Sequence, residues 1–172
     1  MYQLRCTKKV QDVFGFKPSD LAEAQDENFV IGNWYVNLFT VVNVVKCLVF
    51  MEEQTLMSFV LIGLRKEHIK DIGVIFKKGV LQLLELEGFP DDIIAAFERA
   101  PEKVLFTKTG SRKLLGNMTD VLNGYEHYIY CDGGLQNCDL SDVTLRVNRT
   151  PQRNLGWDYP IDALNKLLGS AT

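Results

Sequence analysis

Three observations in the chain predict an α+β fold. Aromatic and β-branched residues crowd positions 33–62, helical 3–4 spacing takes over after Arg65, and strands precede helices instead of alternating with them. The expected architecture is a small, mainly antiparallel sheet of three to five strands from the N-terminal half, packed by helices drawn mostly from the C-terminal half. With 172 residues, 47% of them hydrophobic and 24% charged, the chain suits a single domain over 1–172 with enough apolar side chains for a core.

The elements follow in order. "YQLRC" alternates and reads as a strand over 2–6. Thr7 then caps a short helix, "KKVQDVF", which Gly15 ends. Residues 17–31 carry Pro18, Ser19, Asp20 and Asp26 and read as a surface connection, with room for a short helix over 20–24. "NWYVNLFTVV" and "VKCLVFMEE" flank "NV" as a hairpin, and "TLMSFVLI" adds a third antiparallel strand. Ile69, Ile72, Ile75, Phe76, Val80, Leu83 and Leu84 give the next helix. Gly73 and Gly79 each cost such a helix about 1 kcal/mol against Ala, so they mark a bend or a close contact.

Pro90-Asp91-Asp92 opens a further helix, with proline in the first turn and acids at the positive end of the dipole. "KVLFTKT" is extended. Leu114, Leu115, Met118, Val121, Leu122, Tyr125, Tyr128 and Ile129 hold helical spacing over four turns, until Asp132-Gly133-Gly134. "LSDVTLRVN" fits a helix by spacing and a strand by β-branching. Pro160 opens a last helix to about Leu168.

The net charge of −3 excludes polyanion binding by bulk electrostatics and directs attention to local clusters. Arg5, Lys8 and Lys9 form one cluster, Lys103, Lys108, Arg112 and Lys113 a second, and Arg146, Arg149 and Arg153 a third. Between them the chain is acidic: 114–145 carries five acids and neither Lys nor Arg. Convergence of these clusters would make a basic patch. At its centre the free N–H groups after Thr109 and Ser111 would accept an anion, and Arg5, Lys8, Lys9, Lys108, Arg112 and Arg149 would supply charge. The alternative is that these residues are solvated loop and helix ends, Ser111 or Thr109 serving only as a cap. Trp34, Tyr35 and Trp157, with Tyr159 beside it, could line a pocket or stack a base, or simply anchor the core.

Catalytic and metal signatures are thin. Cys6, Cys47, Cys131 and Cys138 are scattered and there are two histidines, so the spacing announces no zinc site and no cofactor is expected. Cys6 beside Arg5, Lys8 and Lys9 is the one candidate nucleophile, against the simpler reading of a packed strand cysteine. No Walker loop exists, because Lys108 precedes Gly110. No apolar leader follows the N-terminal basic residues, and no run approaches the ~20 apolar residues of a membrane span, so a cytoplasmic location is expected.

"LRCTKK" at 4–9, "GNWYVNL" at 32–38, "FTKTGSRKLLGNMTD" at 106–120 and "VNRTP" at 147–151 together resemble a family of uncharacterised bacterial proteins known only as a domain of unknown function. The family pattern has Asp where this chain has Asn33, Ser where it has Lys113, and Ser and Asn where it has Asn117 and Thr119. The resemblance implies a recurrent architecture that includes the basic junctions, and no reaction. The leading functional expectation is a non-enzymatic binding module whose basic patch holds a nucleic acid, a nucleotide or an acidic protein. A protein–protein partner or homodimer using the edge of the Trp34–Met51 hairpin comes next, and a small Cys6-dependent enzyme last.

Overall fold

The computed structural model describes residues 1–25, 29–41 and 45–169; the expected "NV" hairpin turn lies outside the described residues. Five strands form one sheet: β1 (Tyr2–Cys6), β2 (Asn33–Val41), β3 (Val45–Glu52), β4 (Ser58–Ile62) and β5 (Val104–Lys108), in the spatial order β4-β3-β2-β1-β5. The helices are α1 (Lys8–Phe14), α2 (Ile72–Leu86), α3 (Asp91–Glu98), α4 (Arg112–Cys131), α5 (Leu140–Val147) and α6 (Pro160–Gly169). The chain is thus α+β, its strands mostly N-terminal and its helices mostly C-terminal.

The β2-β3-β4 meander is antiparallel as its sequence predicts, and β1 and β5 add two parallel pairings, so the sheet as a whole is mixed. β1 lies between two parallel neighbours, which explains why all five of its residues are buried despite its polar Gln3 and Arg5.

Period-2 alternation divides the sheet into two packed faces. On the front, Leu4, Cys6, Trp34, Val36, Leu48, Phe50 and Phe59 meet Val10 and Phe14 of α1, Phe76, Val80 and Leu84 of α2, Phe97 of α3 and Leu164 of α6. On the back, Tyr35, Phe39, Cys47, Val49 and Met51 meet Met118, Val121, Tyr125 and Ile129 of α4 and Val143 and Val147 of α5. The sheet is therefore the middle of three layers.

Local chemistry accounts for the boundaries. Gly15 ends α1 at φ +71°, a conformation that suits glycine. The ambiguous "LSDVTLRVN" is the helix α5. Asp139 caps it by accepting from the Ser141 N–H at 2.9 Å, and a buried Val143/Val147 stripe packs on α4. β4 starts later than the pattern predicts, because Glu52 ties residues 53–57 into a turn: its Oε2 accepts the N–H groups of Gln54 (2.8 Å) and Thr55 (2.7 Å) and the Thr55 hydroxyl (2.8 Å). The α2 glycines mark close contacts, since a Cβ on Gly73 would lie 1.9 Å from the Glu102 carbonyl oxygen. Among the described residues no helix is long and apolar enough to cross a membrane.

Candidate functional site

The junction into α4 is tied down from both sides. Ser111 is its N-cap, the Oγ accepting the Leu114 N–H at 3.2 Å, while the Ser111 N–H donates to the Tyr35 hydroxyl at 3.2 Å. Of the four N–H groups that a helix start leaves without an intrahelical acceptor, those of Arg112 and Lys113 remain for solvent or a ligand. Thr109 is half-buried and precedes this cap; Lys108, Arg112 and Lys113 are exposed, with no ion pair among the described residues.

Beneath this junction runs a polar strip on the back of β1. Arg5 is only 6% exposed, and its Nε lies 3.0 Å from Glu53 Oε2, an ion pair without hydrogen-bond alignment. Its Nη2 donates to the Gln25 carbonyl at 3.4 Å. Gln3 donates to the same carbonyl at 2.7 Å and to Asn33 Oδ1 at 2.9 Å, and Thr7 donates to Asn37 Oδ1 at 2.9 Å. Arg5 thus serves the interior, neutralised by Glu53, instead of presenting a free cation. A groove of about 310 Å³ opens beside it, lined by Glu53, Ser111, Lys113, Asn117 and Asn154 among others; Asn154 donates to Asn117 across it.

Strand register brings the first two basic clusters to one end of the sheet. Cys6 pairs with Lys108 in the parallel β1–β5 ladder, so Lys8 and Lys9 leave the same edge as Lys108 to Lys113. The helices that follow depart to opposite faces, α1 to the front and α4 to the back. Lys9 is exposed; Lys8 is exposed and pairs with Asp12 at 2.8 Å, one turn on.

The third cluster is largely spent internally. Arg149 grips both carboxylate oxygens of Glu87, at 3.2 and 2.7 Å, and so joins α5 to the end of α2. Arg146 pairs with Asp132 and Asp142 and lies 4.6 Å over the Tyr128 ring. Only Arg153 is left exposed without an ion pair among the described residues, next to the groove residue Asn154.

The aromatic candidates separate three ways. Trp34 is core, its Nε1–H donating to the Ile31 carbonyl at 2.7 Å. Tyr35 is buried with its hydroxyl at the α4 start. Trp157 is 67% exposed at φ +69°, in the loop that carries Asn154.

A profile of one protein family matches residues 3–163 of the chain, nearly its whole length. The chain belongs to DUF6933, a domain of unknown function. No curated protein and no solved structure matches it.

The segments that resemble the DUF6933 pattern have physical roles here. Arg5, Tyr35, Ser111 and Asn117 surround the α4 start. Asn148 is fully buried and clamps the first residue of β4: its Oδ1 accepts the Ser58 N–H at 2.9 Å and its Nδ2 donates to the Ser58 carbonyl at 2.9 Å. That explains an N-x-T-P turn without a ligand.

Cys6, the nucleophile candidate, faces the front core, where burial pushes its thiol up to about 12, and a thiolate is not available at neutral pH. The sequence reading passed over Glu53 and the pair Asn117–Asn154, whose partners are far apart in the chain. It also passed over Cys131, whose Sγ lies 3.7 Å from His127 Nε2 on the exposed side of α4; the i, i+4 spacing was a visible signal. Among the described residues no group of three potential ligands is placed to hold a metal.

Proposed function

We propose that this DUF6933 chain is a binding module that takes a phosphate-bearing partner, a nucleotide or nucleic acid, at the C-terminal ends of β1 and β5. One observation carries this reading: the Cys6–Lys108 register, with α1 and α4 leaving to opposite faces. In sheets with parallel strands, ligands sit outside the carboxyl ends where successive helices diverge, because the divergence leaves a crevice edged by helix starts. Here the edge carries Lys8, Lys9, Lys108, Arg112 and Lys113, and the spare N–H groups at the start of α4 point the same way as its dipole. Arg5 and Ser111 hold the junction in shape, and Arg149, committed to Glu87, contributes elsewhere.

The test is fluorescence anisotropy with a labelled single-stranded oligonucleotide. Wild-type affinity is expected to fall more than tenfold between ~50 and ~200 mM salt, since each phosphate contact releases counterions. The Lys108→Ala/Arg112→Ala/Lys113→Ala variant loses at least tenfold at low salt, while Arg99→Ala at the end of α3 binds as wild type. Salt-independent binding, equal loss in both variants, or no binding at low salt overturns the proposal.

A further inference from the structure

The outer edge of β4 is an open sheet edge set between α2 and α5. In the β3–β4 ladder, the Gly63 N–H donates to the Lys46 carbonyl and the Glu52 N–H to the Met57 carbonyl. Backbone groups at odd positions of this segment therefore face β3, and those of Ser58, Val60 and Ile62 face outward. At Ser58 the outward pair is already engaged by the Asn148 carboxamide, which accepts and donates once each, as the residue of a sixth strand would. The matching groups of Val60 and Ile62 have no such partner among the described residues.

Those of Val60 open instead into a groove of about 590 Å³, and exposed Ile62 follows just beyond its lining residue Leu61. α2 walls it with Gln82, Leu83 and Leu86, and α5 with Leu140 and Thr144. The Glu87–Arg149 pair joins the ends of the two walls, one residue from the Asn148 that holds Ser58. Glu85 is the one charged residue on the lining among the described residues.

We propose that this groove binds an extended peptide segment of a partner protein, which adds as a sixth strand on β4. The unpaired N–H and C=O groups at 60 and 62 select an extended backbone, since only a strand presents donors and acceptors at their spacing. At about 3.4 Å per residue, four to five residues run the length of β4. Apolar side chains at alternate positions meet Leu83 and Leu86, and a Lys or Arg meets Glu85. Walls on both sides admit one strand and not the sheet edge of a second copy, whose own α2 and α5 would collide with them.

The experiment pans a random dodecapeptide phage library on the full chain, then measures the selected synthetic peptides by isothermal titration and by amide hydrogen exchange. Expected are peptides with alternating apolar residues and a basic residue, whose binding slows exchange at the Val60 and Ile62 amides. Ile62→Pro removes an outward N–H without touching the β3 ladder and is expected to weaken binding at least tenfold. Glu85→Lys, an exposed change that leaves the edge intact, is expected to weaken the basic peptides about tenfold and serves if the proline variant fails to fold. Three results overturn the proposal: selected peptides that bind both variants as they bind wild type, unchanged exchange at 60 and 62 in the complex, or a dimer by light scattering that Glu85→Lys or Ile62→Pro dissolves, which would make a second copy the occupant.

Discussion

Glu52 shows how a single side chain organises the molecule at its own cost. One carboxylate oxygen accepts three hydrogen bonds from Gln54 and Thr55, which fold the turn into β4, while the other is buried with no hydrogen-bond partner among the described residues. Burial raises its pKa above the ordinary carboxylate range, outweighing the hydrogen bonds that lower it. Because the folded state holds the proton more tightly than the unfolded one, the contribution of this group to stability is complete in acid and is lost as pH rises through the raised value. Glu52→Gln keeps an acceptor for the three donors and removes the buried charge. Urea melts from pH 4 to 8 are expected to show the variant gaining on wild type as pH rises; a difference that shrinks with pH would mean that the donors hold the charged form more strongly than burial opposes it.

At the scale of elements, the approach of α2 to the sheet depends on residues that are small. Gly79 lies against Phe59, whose ring stacks on Phe50 with centroids 5.0 Å apart, and a Cβ on Gly79 would sit 2.4 Å from Phe59 Cε2. Gly79→Ala is expected to destabilise the fold by ~1–2 kcal/mol, the overpacking exceeding the ~1 kcal/mol of helix propensity gained. Gly116 of α4 is the control, being exposed with nothing within 4 Å of the added Cβ, and Gly116→Ala is expected to stabilise by up to ~1 kcal/mol. Chemical denaturation decides both; equal effects at the two sites would refute close packing of α2. Element by element, periodicity was a good guide. The α4 stripe, the β2–β3 alternation, the Gly15 end of α1 and the proline start of α6 all have direct local causes. Thr7, by contrast, stands at the start of α1 without a side-chain cap, its hydroxyl donating to Asn37 instead. Ambiguity remained where propensity and spacing conflicted, as in α5, and there the Asp139 cap and packing on α4 settled the matter.

For the whole molecule, the two-faced sheet makes a prediction about thiols. Cys6 belongs to the front core and Cys47 to the back, where burial raises the latter to about 11, so neither is reached without opening a different side of the sheet. Cys131 is exposed and Cys138 half-buried. A thiol reagent is expected to label Cys131 within the mixing time and Cys138 more slowly. Cys6 and Cys47 should then follow together, at the rate of global unfolding. Rapid native-state labelling of Cys6 would contradict its placement and revive its role as a nucleophile.

The same scale separates what each level of description could reveal. The sequence by itself determined the class, the meander, the helix starts and the existence of basic clusters, because these rest on contacts within a few residues or on periodicity along the chain. Tertiary structure decided that β1 is central and parallel to β5, that Arg5 pairs with Glu53 and Arg149 with Glu87, and that the hairpin edge is interior while β4 is exposed. Those outcomes depend on which strand lies beside which and on partners 48 and 62 positions apart, and a charge read along a chain says nothing about the countercharge that folding places next to it.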